Sequence, residues 1–177
     1  MPAPKSVVYL FSLLLIASTV GDVRGRPSEG NRASAQEAEE PVSARVITFG
    51  TVLKHFTCGH SQAATYVIND NDAWQSLWKA TMSNTFPIPP APEVDFSQHS
   101  IVAVYQGNQP SSGYDVSIQR AVRSGKKVKI VVREVIPEDS CPVMLVITQP
   151  FHIILTDRVI DPEQTTFKIK TRVTHCE

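Results

Sequence analysis

The stretch "YDVSIQRAVRSGKKVKIVVREVI" (114–136) constrains the fold more than any other. Apolar and polar residues alternate on both sides of Arg123-Ser124-Gly125-Lys126. A period of two puts successive side chains on opposite faces of a strand, and a short glycine-containing break between two such runs signals a hairpin. Tyr114, Val116 and Ile118 share one face of the first run. The chain therefore contains a two-stranded ribbon with an apolar face to bury.

The remaining segments extend that ribbon into a domain. "ARVITFGTVLKHFT" is rich in β-branched residues and predicts a strand bent at Gly50, and "ATYVIND" predicts a second. "SIVAVYQ" (100–106) is almost continuously apolar, which suits the middle of a sheet. "VMLVITQ" and "FHIILT" read as two strands divided by Pro150, which cannot donate to a ladder and so marks a bulge or an edge. "TFKIKTRV" supplies the last strand. The period changes only in "NDNDAWQSLWKATM". There Asp70, Asn71 or Asp72 can cap a helix, and Trp74, Leu77, Trp78 and Met82 fall at i, i+3, i+4 and i+8 on one face. One helix over about 71–83 follows, with both tryptophans as packing residues. Pro87, Pro89, Pro90 and Pro92 exclude helix and central strand alike from "FPIPPAPEVDFS", leaving an extended connection. The expected architecture is α+β: a mainly antiparallel sheet or small sandwich of seven or eight strands, with the helix packed on it.

The start of the chain has a different character. Lys5 precedes the apolar run Val7–Val20, and small residues follow around Gly21 and Gly25. Such a run is short for a bilayer span and fits a secretory signal over 1–25, with a retained membrane anchor as the alternative. Residues 26–43 are polar, small and acidic, the composition of a disordered linker. The folded domain is expected over 44–177, in an exported protein that is secreted or periplasmic. Export permits a disulfide. Three cysteines, Cys58, Cys141 and Cys176, allow three single-bridge pairings. Cys58 with Cys176 is the pairing favoured by their position at expected strand ends.

Composition narrows the chemistry. The 17 basic and 17 acidic residues balance, which argues against nucleic acid as a partner, since phosphate binding needs a basic excess. "HFTCGH" brings His55, Cys58 and His60 close in sequence, yet a zinc site needs three or four convergent ligands. On a strand, His55 and Cys58 would face opposite ways. "EDSCPV" around Cys141 has no nucleophile setting, and neither a G-x-S-x-G turn nor a phosphate-cradling glycine loop occurs. The reading is a non-catalytic protein without a cofactor, with a metal-dependent enzyme as a remote alternative. Arg120, Arg123, Lys126, Lys127, Lys129 and Arg133 form the densest charge run, with Lys127, Lys129 and Arg133 on one face of the hairpin. This is a solvated sheet face or a docking surface for an acidic partner.

Four segments, in order, resemble the PrcB-type family, named for a subunit of a bacterial protease complex. They are "YVINDNDAWQSLW", "PEVDFSQHSIVAVYQG", "QPSSGYDVSI" and "VITQPFHIILT", spanning roughly Tyr66 to Thr156. The resemblance implies an exported protein that binds or stabilises a protease or similar partner. A second resemblance competes. "QPSSGY" and the later "QPF" are similar, in the same order, to the two recognition loops of chagasin-like inhibitors of cysteine peptidases, although the glycine-rich middle loop of those inhibitors is lacking. Small residues that let backbone approach a cleft, beside an aromatic, make a sound recognition device. The candidate partner-binding residues are therefore Gln109, Pro110, Ser111, Ser112, Gly113 and Tyr114, with Pro150, Phe151 and His152 as a second patch.

Overall fold

The computed structural model describes residues 43–175. The expected signal, nearly all of the expected linker, and Cys176 lie outside the described residues. The elements, in order, are β1 (Arg45–Ile47), β2 (Phe49–His55), β3 (Ala63–Ile68), α1 (Asn71–Thr81), β4 (Ile101–Gln106), β5 (Asp115–Ser124), β6 (Lys127–Pro137), β7 (Phe151–Thr156), a 3₁₀ turn at Pro162–Gln164, and β8 (Thr165–Thr174). They form two four-stranded sheets, β1-β5-β6-β8 and β2-β7-β4-β3. The fold is the expected α+β sandwich, with eight strands and one helix among the described residues.

The β5–β6 hairpin is as the alternation predicts. Ser124 pairs with Lys127, leaving Gly125 and Lys126 as a two-residue turn. Gly125 has φ +58°, and among the described residues no non-glycine has a positive φ. A positive φ at the first central position alone is the pattern of a type II′ turn, whose twist matches the strands it joins. Val116, Ile118, Ala121, Val128, Ile130 and Val132 turn inward and meet Val102, Val104 and Ile154 of the other sheet. A bulge at Gln119 keeps Ala121 in phase with the core.

The other face of the β4 sheet packs on the helix. Asp70 caps α1 by accepting from the Ala73 N–H at 2.8 Å. Trp74, Leu77 and Trp78 bury themselves against Ile101, Ala103, Tyr105, Phe151 and Ile153. β4 is buried along its whole length because one of its faces meets the β5 sheet and the other meets α1. This explains its unbroken apolar run. The helix ends at Thr81, one position before Met82, which is only partly buried and forms the cap. Thr81 takes the buried place instead, bonded to the Tyr105 hydroxyl at 2.6 Å. The proline-rich connection satisfies both tryptophans. Pro92 and Pro89 offer their carbonyls to the indole N–H groups of Trp74 and Trp78, at 2.9 and 2.8 Å.

β8 runs parallel to β6, the one parallel strand pairing among the described residues in the mainly antiparallel architecture expected. Two expectations are corrected. The first strand does not bend at Gly50; it divides at Thr48, and β1 and β2 join different sheets. "VMLVITQ" is no strand. Beyond a single bridge, Gln109 with Thr148, it is irregular. Pro142 and Pro150 bracket it, and β7 is already paired on both sides, by β2 and β4.

Candidate functional site

The pairing registers gather several loops at one end of the sandwich. His55 closes β2 opposite Phe151 at the start of β7, Gln106 ends β4 opposite Ala63, and Pro137 ends β6 beside Thr174 of β8. The connections at 56–62, 107–114 and 138–150 therefore emerge together.

The 107–114 and 138–150 loops are laced to each other. Gln109 and Thr148 exchange backbone bonds at 2.8 and 3.0 Å. Ser112 N–H donates to the Met144 carbonyl, and Met144 N–H donates to Ser112 Oγ, both at 2.9 Å. Thr148 Oγ1 donates to the Ser111 carbonyl at 2.9 Å, and Gln149 Nε2 to Asn108 Oδ1 at 3.0 Å. Gln149 N–H reaches back to the Phe56 carbonyl at 2.8 Å. Gly113 turns the first loop into β5 with φ +91°, a conformation that costs glycine little and other residues more.

This brace holds four consecutive apolar residues in solvent. Met144 is 70% exposed, Leu145 93%, Val146 49% and Ile147 62%, and the exposed Phe56 belongs to the adjoining loop. Val146 N–H bonds to the Met144 carbonyl at 2.9 Å, which folds the tip back on itself. A contiguous exposed apolar patch on a polar frame marks an interaction site far better than scattered single residues do. Sequence reasoning missed it because V-M-L-V-I has the pattern of a buried strand. The only available warning was the pair of flanking prolines.

The candidate residues named from the sequence divide accordingly. Pro110 and Gly113 are exposed, and Gln109, Ser112 and Tyr114 are half-buried. Ser111 is buried under Thr148 and cannot present its side chain. Pro150, Phe151 and His152 are also buried, which corrects the second patch. Phe151 stacks on Tyr105 inside the core, with ring centroids 5.7 Å apart. "QPF" is thus the entry to a central strand and not a projecting loop.

His152 ties the sheets together from within. Its Nδ1 accepts from the Ile118 N–H of β5 at 3.0 Å, and its Nε2 lies 2.9 Å from Thr51 Oγ1 of β2. Burial, with a smaller contribution from nearby Lys54, lowers its pKa to about 4. The ring is neutral at pH 7 and serves as a structural acceptor.

The "HFTCGH" residues do not converge. His55 is exposed, stacked on Phe56 and bonded to Thr57. Cys58 is buried, and burial raises its pKa, which disfavours the thiolate a metal requires. His60 packs on Tyr105 at 4.1 Å. Among the described residues no three His, Cys, Asp or Glu side chains could hold a metal ion together. Cys58 is also a free thiol, so the pairing of Cys58 with Cys176 is overturned: Cys58 lies beneath α1, its Sγ 3.5 Å from the Gln149 carbonyl.

Fold and site together define a two-sheet domain with one covering helix and a loop-built, apolar-tipped end. The PrcB C-terminal family model matches residues 100–157, the stretch from β4 through β7 that includes both braced loops. The match begins later than the resemblance read from Tyr66, leaving out the helix. Neither a curated protein nor a solved structure matches the chain.

Proposed function

We propose that the chain is an exported, non-catalytic protein-binding module that docks a protein partner, of the protease-complex kind that the PrcB family name suggests, through the tip Met144–Ile147. The observation that carries this reading is the exposure of four consecutive apolar residues on a hydrogen-bonded platform. In this arrangement the Gln109–Ser112 loop is the brace and the tip is the contact. Preorganisation of that kind reduces the ordering cost of association.

Leu145→Asp is the direct test. At 93% exposure the change should alter stability by no more than about 0.5 kcal/mol. It should weaken partner binding about tenfold or more if Leu145 is an anchor. A photo-crosslinker at Ile147 in the native exported fraction should capture a peptidase or a peptidase-associated protein, and the Leu145→Asp background should lose it. Undiminished capture by that variant would overturn the reading. So would inhibition of papain-like peptidases that Leu145→Asp leaves intact.

The export part of the proposal has its own measurement. Cys141 Sγ lies 3.5 Å from the Thr174 carbonyl, two residues before Cys176. The bridge we propose therefore falls on Cys141 and Cys176, leaving Cys58 as the thiol. Peptide mapping without reductant should recover Cys141 linked to Cys176. Iodoacetamide should label Cys58 only after unfolding, and labelling of Cys141 in the native exported protein would refute the pairing.

A further inference from the structure

We infer that the free edge of β8 is a second binding site, one that adds a strand from a partner segment in which acidic and apolar residues alternate. Strand β8 is ten residues long and ends its sheet. Among the described residues no strand pairs with its outer side, so every second peptide group faces away from β6 with its N–H and C=O unladdered. The two faces of the strand differ. Phe167, Ile169 and Val173 lie on the inner face, in register with Ile130, Val132 and Ile136 of β6. Yet Ile169 is 51% and Val173 46% exposed. Ile169 and Glu134 border a cleft of about 230 Å³ with Ala63, Thr65 and Tyr105 of the other sheet. Lys168, Lys170 and Arg172 occupy the outer face. None has an ion pair or hydrogen bond among the described residues, and Lys170 stands directly beside Arg133 of β6. Like charges in register cost stability, and an anionic neighbour would relieve that cost. Arg133 Nε is itself buried without an acceptor.

These features select the occupant. A second copy pairing along the same edge would set lysine against lysine, the arrangement by which sheet edges resist self-association. An incoming strand with carboxylates on its outer face and apolar residues on its inner face meets every demand at once. It completes the ladder, covers Ile169 and Val173, and pairs with the three cations. Backbone pairing supplies affinity in such additions and the alternate side chains supply specificity. The Thr174 end of β8 adjoins the 138–150 loop, through the Glu138 N–H that donates to the Thr174 carbonyl at 3.1 Å, but the edge itself is formed by β8 and does not use the Met144–Ile147 tip.

The test uses the full chain and three capped octapeptides: alternating Val-Glu, the same composition in block order, and alternating Val-Lys. Binding is read by fluorescence anisotropy and by amide exchange. The alternating acidic peptide should bind and slow exchange within Thr165–Thr174, and the block-order peptide should bind at least about tenfold more weakly, a difference worth about 1.4 kcal/mol. The alternating Val-Lys peptide should not bind, and binding equal to that of its acidic counterpart would overturn the inference. Combined Lys168→Glu and Lys170→Glu should cost a similar factor, whereas Lys79→Glu on the helix should change nothing. Equal binding of the alternating and block-order acidic peptides would also overturn the inference. Competition by a sulfated polysaccharide, with no protection of β8, would do the same by showing a general polyanion surface. So would failure of the alternating acidic peptide to bind at millimolar concentration.

Discussion

Replacing Trp74 with alanine is expected to lower the free energy of unfolding by about 3–5 kcal/mol. Domains of this size hold about 5–15 kcal/mol in all, so the variant should be marginal or unfolded at 37 °C. The size of the effect follows from the position of the side chain. Trp74 has no exposed surface and lies between α1 and the β4 sheet. Its ring meets that of Trp78 edge-on, with centroids 5.3 Å apart. Alanine would leave a cavity that neither a rigid helix nor a fully paired β4 can collapse to fill. Trp74→Phe separates the contributions: it keeps most of the packing and removes the N–H that Pro92 accepts, at an expected cost of about 1–2 kcal/mol. Urea unfolding followed by far-ultraviolet circular dichroism measures both. A loss below about 1 kcal/mol for the alanine variant would mean that the helix does not form part of the core.

Acid should weaken the protein through His152. Its pKa is about 4 in the folded state, against an ordinary value of 6.5. Between those values the unfolded chain binds more protons than the native one, so stability rises with pH. The contribution is complete above pH 6.5 and is lost progressively as pH falls towards 4. From pH 7 to pH 5 the expected loss is about 2 kcal/mol. His152→Gln can retain a side-chain acceptor for the Ile118 N–H without a titrating ring. It should be less stable than the parent at pH 7 but show a flatter profile between pH 7 and 5. A profile as steep as the parent's would assign the acid sensitivity to other groups. The carboxylates of Asp95 and Asp157, both held below their ordinary range by hydrogen bonds, act mainly at lower pH, whereas His60, whose pKa burial also lowers, adds to the same window in parent and variant alike, so the difference between the two profiles isolates His152.

Much of the fold was legible because the relevant signals are local. Alternation and a turn glycine specify the β5–β6 hairpin, an unbroken apolar run specifies β4, and the spacing of Trp74, Leu77 and Trp78 specifies the buried face of α1. What escaped the sequence depends on contacts between distant residues. The crossing at Thr48 has no glycine or proline to announce it. The parallel pairing of β8 with β6 depends on where the 3₁₀ turn delivers the chain, and local pattern carries no strand direction. The candidate site divided along the same line. "QPSSGY" was recognisable as a loop, but its function as a brace lies in bonds to Met144 and Thr148, more than thirty residues away. The tip was concealed because an exposed contact and a buried strand can share one apolar composition.

The crossing at Thr48 also has a mechanical meaning. β1 and β2 follow each other directly yet belong to opposite sheets, and the Thr48 carbonyl is held by the Asp157 N–H at 2.9 Å. A pull transmitted from the N-terminal side first meets the three residue pairs of β1 with β5, then the longer zipper of β2 with β7. The short strand would yield first, since it has three paired residues against the six of β2 with β7. Under a load from that side, parting β1 from β5 would draw the buried Ile47 out of the core between the sheets, so the first event of extension would already loosen that core.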